Sequence, residues 1–108
     1  MGENKMIRLP FNIQFKEPML KGQKTMTSRT SKYGNVGDEF QIFDRTFIIT
    51  KIYPELLGVV ADNHFYEEGF KTRQEFIDFW IMIHPVAKFQ LYQKIYVHRF
   101  QRKVILED

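Results

Sequence analysis

The sequence contains no cysteine. That absence excludes disulfide staples, thiolate zinc sites, iron–sulfur clusters and a cysteine nucleophile. Histidine is scarce: His64, His84 and His98 stand apart, with no H-x-x-x-H pair, so no metal site is expected. No run comes near the ~18 apolar residues of a membrane span. The start, Met1-Gly2-Glu3-Asn4-Lys5, has none of the apolar core of a signal peptide. A cytoplasmic protein with no membrane partner is the expectation. Neither G-x-x-x-x-G-K nor G-x-G-x-x-G occurs, and there is no G-x-S-x-G elbow. No cofactor is expected.

What is present is a chain of 108 residues, 44% hydrophobic and with eleven Phe. That length holds one domain, residues 1–108, with its core over about residues 11–100. The apolar content is enough for a packed interior and excludes a wholly disordered chain. The net charge is +3, which alone says little about partners. Its distribution says more. Between Lys16 and Lys32 stand five basic residues and one acid; between Gln93 and Lys103 stand four basic residues, His98 and no acid. Folded side by side, these segments make a face suited to phosphate or another anion; folded apart, they are ordinary solvated surfaces.

Residues 11–15 alternate apolar and polar and read as a strand. A short helix over Glu17–Lys21 ends at Gly22, and Lys24–Thr30 is β-favouring. Phe40–Phe43 and Thr46–Ile52, with Asp44-Arg45 between them, read as a hairpin that Pro54 terminates. The clearest helix follows Gly69-Phe70. Thr72 and Glu75 have capping-box spacing, and Phe76, Phe79, Trp80 and Ile83 form one apolar stripe before His84-Pro85. Gln93–Lys103 reads as a last strand with both faces partly covered. This order predicts an α+β fold: a small, mostly antiparallel β-barrel with one or two flanking helices.

The segment Leu20–Arg29 concentrates chemistry. Lys24, Thr25, Thr27, Ser28 and Arg29 supply two cations and three hydroxyls within six residues. A threonine hydroxyl needs a neighbouring base before it can attack, and a partly buried lysine with a lowered pKa can be one. Arg29 can hold a phosphate, a carboxylate or the edge of a base. On an extended strand Thr25, Thr27 and Arg29 share a side, and Lys24 joins them only at the strand entry or through a bulge. The same composition also describes a Thr-rich surface strand. Glu67-Glu68, ahead of the capped helix, is either solvated charge or the acidic partner of Lys24.

The pattern L-x-G-x-K-T-x-T-x-R, then Gly37-Asp38 before a hairpin, Glu68-Gly69-Phe70 before a helix bearing Phe76 and Trp80, and His84-Pro85 before a last strand resembles the ASCH domain family. The resemblance spans about residues 11–100. It implies a PUA-like barrel with a cleft that binds RNA or a nucleotide-like ligand. The family includes a small bacterial amidohydrolase that cleaves N4-acetylcytidine. Carried over by motif, its catalytic set is Thr27 as nucleophile, Lys24 as base and Glu68 as the group that orients or protonates Lys24. Arg29 would line the same cleft, with Lys21, Thr25 and Lys32 as further ligand or RNA contacts. Tyr33, Tyr92, Tyr96 and Phe100 could stack on bases. The resemblance thus implies a monomeric module binding RNA or a nucleoside. The alternative is a metal-independent amidohydrolase acting on N4-acylated cytidine. Thr30 after Arg29 and Gly69-Phe70 after Glu68 follow the general family pattern rather than that of the enzyme.

Overall fold

A computed structural model describes residues 3–104. Strand β1 (Met6–Ile7) is followed by a 3-10 turn (Ile13–Phe15), helix α1 (Lys16–Leu20) and β2 (Met26–Arg29). Then come β3 (Glu39–Ile42), β4 (Arg45–Leu56), α2 (Leu57–Asn63), α3 (Arg73–Ile83) and β5 (Lys94–Arg102). The strands form one sheet in the order β1-β3-β4-β5-β2. Only β1 against β3 is parallel; the other pairings are antiparallel.

The fold is α+β and mostly antiparallel, as expected, but the sheet is open. Among the described residues no hydrogen bonds join β1 to β2, so the expected barrel does not close. The two edges are short, and short edge strands leave little backbone on which to complete a cylinder. Residues ahead of position 11 belong to the fold as well. The Lys5 amide donates to the Asp38 carboxylate (2.9 Å), and β1 pairs with β3.

Residues 11–15 are not a strand. The Asn12 side chain caps the 3-10 turn by accepting from the Gln14 amide (3.1 Å), a local bond that competes with extended structure. Phe11 and Phe15 are thereby held on the sheet from outside it. The hairpin is present, but its turn residues are Phe43 and Asp44, with φ of 53° and 60°. That is the left-handed geometry a two-residue hairpin turn requires. Pro54 does not end β4, which continues to Leu56. Beyond Ile48 the strand pairs with β5 alone, so a residue without an N–H is tolerated there. Pairing shifts between Ile49 and Lys51, leaving Thr50 as an extra residue and letting Ile49 and Ile52 share a face.

Strand β5 is covered on both sides, as expected. Ile95 and Val97 are buried on one face, His98 and Phe100 on the other. Helix α3 starts as the capping box predicts: Thr72 accepts from the Glu75 amide at 3.1 Å. Phe76 and Trp80 of its stripe are buried, whereas Ile83 is exposed.

The interior contains two aromatic groups. Phe40, Phe47 and Phe100 pack with ring centroids 5.4–5.6 Å apart, and Phe11 joins them. Phe15, Phe70, Phe76 and Phe79 form the second group, at 5.1–5.7 Å. Each such pair adds about 0.5–1.5 kcal/mol beyond its area of burial.

Candidate functional site

A cavity of about 490 Å³ opens where these two groups meet. Phe11, Phe15 and Phe79 supply its apolar wall; Lys24, Thr27, Ser28, Arg29 and Glu68 supply polar groups; Tyr33 and His84 also line it. The sequence segment singled out for its hydroxyls and cations therefore converges with Glu68 on one hollow.

Lys24 lies just before β2, at the strand entry rather than on a bulge, and is only 2% exposed. The turn carrying Glu68 is stitched to it by backbone, since the Thr25 amide donates to the Glu67 carbonyl at 2.9 Å. The Lys24 ammonium donates to the carbonyls of Met26 (2.9 Å) and Glu68 (2.6 Å), and Glu68 Oε1 stands 3.4 Å away. Its charge also lies over the Phe15 ring, 4.4 Å from the centroid. Burial pushes the Lys24 pKa down to about 8, against the opposing attraction of Glu68, and the positive charge of Arg29 pushes the same way as burial. Gly69, at φ +106°, makes this approach feasible. A Cβ there would stand 3.2 Å from Lys24 Cδ and 3.1 Å from Phe15.

The other carboxylate oxygen of Glu68 accepts from the Ser28 hydroxyl at 2.6 Å. Ser28 was counted among the hydroxyls of its segment but given no role, because it occupies a variable position of the quoted motif. Thr27 is bonded differently: its hydroxyl oxygen accepts from Arg29 Nε at 3.1 Å. Among the described residues no hydrogen bond joins Thr27 to Lys24 or Glu68. Arg29 also donates to the Pro10 carbonyl (2.7 Å) and lies over the Phe11 and Tyr33 rings, at 5.0 and 5.6 Å. Burial lowers its pKa from the ordinary arginine value.

Tyr33 is fixed by His98, which is fully buried. The His98 Nε2 accepts from the Tyr33 amide at 2.9 Å, so Nδ1 carries the proton toward the Tyr96 carbonyl, 3.1 Å away. Burial lowers the His98 pKa and favours this neutral form.

The remaining expected contacts lie elsewhere. Lys21 is exposed beside Glu17, at 3.6 Å, and Thr25 faces a smaller hollow behind Lys24. Lys32 is exposed and does not line the cavity. Phe100 is core, and Tyr92 is 84% exposed, away from the cavity wall. Tyr96 is half-buried. Phe11, Phe15, Phe79 and His84 were not read as site residues. The apparent strand over residues 11–15 and the helical stripe of α3 both looked like core. Among the described residues no group of three or more acidic or histidine side chains could hold a metal, and no helix is long and apolar enough to cross a membrane.

Solved structures share this architecture. A hypothetical protein designated PH0355 superimposes with a TM-score of 0.65 at 12% identity, covering 86% of this chain and 94% of its own. The ASCH domain from Lactobacillus crispatus JV V101 gives 0.60 at 12% identity, covering 92% of this chain and 79% of that one. The chain has an ASCH-like fold. Protein EF3133 from Enterococcus faecalis V583, of the family DUF984, has the same fold, with a TM-score of 0.65 at 14% identity and coverage of 94% and 76%. No protein-family model matches the sequence, and no curated protein does. At these identities the likeness concerns the fold, and the cavity must be read from its own residues.

Proposed function

We propose that the cavity binds a nucleoside, or one nucleotide of an RNA strand. The observation that carries this reading is the pairing of aromatic walls with one buried and one half-buried cation. Phe11, Phe15 and Tyr33 stand beside Lys24 and Arg29 around a hollow of about 490 Å³. Stacking a base on an aromatic ring contributes about 1–3 kcal/mol and suits any base. Arg29 supplies a planar donor fork for a phosphate or a base edge. The ASCH-like fold supports the same reading. The test is calorimetric titration with cytidine, its monophosphate and a short single-stranded RNA at low and high salt. Binding is expected for each, weaker by roughly tenfold in Arg29→Ala. RNA affinity should fall as salt rises, because phosphate contacts release counterions. Failure of all the ligands to bind would overturn the reading.

One observation favours a second reading, hydrolysis of an N4-acylated cytidine. A lysine held near pKa 8 in an apolar hollow, with a carboxylate and hydroxyls around it, is the chemistry of an acyl-transfer site. Acetate release from N4-acetylcytidine, lost in Lys24→Ala and in Glu68→Ala, would support it. The family resemblance gives the nucleophile's part to Thr27.

A further inference from the structure

We propose that Ser28, rather than Thr27, is the nucleophilic hydroxyl of this site, with Glu68 as its base and Lys24 as the cation that positions Glu68. The proposal rests on the hydrolase reading and concerns which atoms would carry it out.

Strand register is the first argument. In the antiparallel pair of β2 with β5, Met26 stands opposite Arg99, Thr27 opposite His98 and Ser28 opposite Val97. Opposed residues share a face, so Ser28 lies on the side of the sheet that carries Arg99. That is the side on which the Glu67-Glu68 turn docks, because Arg99 donates to Glu67 at 2.9 Å. Thr27 points to the opposite side, with Arg29. The β-period of two thus delivers Ser28 to Glu68 and turns Thr27 away.

Hydrogen bonding gives the second argument. Ser28 Oγ donates to Glu68 Oε2 at 2.6 Å in a buried setting, the arrangement a general base needs to take a hydroxyl proton. Thr27 offers its lone pair to a guanidinium, which cannot take a proton. Lys24 is badly placed as a base. Two of its N–H groups are held by the carbonyls of Met26 and Glu68, and its third direction faces Glu68 Oε1. A nitrogen so committed has no free lone pair with which to take a proton, and its charge serves to hold the Glu68 carboxylate in place.

The step balances as follows. Ser28 Oγ bonds to the acyl carbon while its proton moves to Glu68 Oε2, and the carbonyl π pair moves onto oxygen. Collapse breaks the carbon–nitrogen bond, and the Glu68 proton passes to the leaving exocyclic nitrogen. Water then attacks the Ser28 ester, giving a proton to Glu68. Ser28 leaves and recovers that proton, releasing the carboxylic acid.

The experiment traps the ester. Wild-type protein is incubated with 4-nitrophenyl acetate, quenched in acid and mapped by peptide mass spectrometry, while acetate release from N4-acetylcytidine is measured separately. An acetyl group on Ser28 is expected, together with a loss of roughly a thousandfold in turnover for Ser28→Ala. Thr27→Val should still acetylate at Ser28 while losing about tenfold in turnover through its Arg29 contact. Acetyl on Thr27, or turnover that survives Ser28→Ala, would overturn the assignment and leave the hydrolase reading standing. A wild type that neither releases acetate from N4-acetylcytidine nor becomes acetylated would remove both. Mapping the wild-type adduct keeps the result independent of whether any variant folds.

Discussion

Glu67 and Glu68 are neighbours in the chain with opposite surroundings. Glu68 is 4% exposed, its carboxylate between the Lys24 ammonium and the Ser28 hydroxyl. Glu67 lies toward solvent, where its carboxylate meets His64 at 2.8 Å and Arg99 at 2.9 Å, and Arg99 in turn donates to the Tyr53 hydroxyl. Burial pushes the Glu67 pKa up, but the bonds from His64 and Arg99 outweigh it and hold the acid below its ordinary value. The outer cluster is a set of charges that water can replace. The inner one has no such substitute, so each of its members depends on the others. This difference makes the buried set suited to chemistry and the exposed set suited to fastening the turn.

The contrast can be broken most directly at Lys24. Lys24→Met leaves the buried Glu68 carboxylate without its counter-charge, and urea unfolding should register a loss of about 3–5 kcal/mol. Lys24→Met with Glu68→Leu should recover much of it. A pH series sharpens the same point. The folded lysine titrates near 8, and an unfolded one near ~10.4. Between those values the unfolded chain binds more protons, so stability of the wild type should rise as pH climbs through that window. In Lys24→Met the rise should vanish; its persistence would place the buried titration elsewhere.

A smaller effect is expected at Gly69. Gly69→Ala puts a side chain at φ +106° and crowds Phe15 and Lys24. A loss of roughly 1–3 kcal/mol should follow in the same unfolding assay. No loss would show that Lys24 has room to move.

The smallest belongs to the outer cluster. Arg99→Ala should cost about 0.5–1 kcal/mol, and the difference should shrink in high salt. A loss as large as that of Lys24→Met would erase the distinction between the two carboxylates.

Much of this was legible in the chain. The Thr72–Glu75 cap fixed the start of α3, and the parity of Lys24 left two arrangements, a strand entry or a bulge, of which the fold uses the first. Spacing left Glu67-Glu68 open between solvated charge and a partner for Lys24, and only the family resemblance singled out Glu68. Other features depended on tertiary context. The alternation of Phe11–Phe15 looked like a strand because Asn12 capping is invisible to periodicity. Pro54 looked like a terminator because the sequence does not tell which strands have only one neighbour. Ser28 was passed over because which hydroxyl of a strand faces a carboxylate is set by register with a partner far along the chain. The barrel failed to close for a similar reason, since closure depends on edge lengths that composition does not encode.

The spare residue at Thr50 reaches further than its own strand. It absorbs an offset between β4 and β5, so that Lys51 and the residues after it still meet β5 in regular order. A deletion there would leave Ile49 and Lys51 as successive partners of Phe100 and Arg99, keeping every downstream side chain on its face while removing the local bend of the bulge. The spare residue is thus a device of curvature, and the choice of hydroxyl at the hollow belongs to the pairing of β5 with β2.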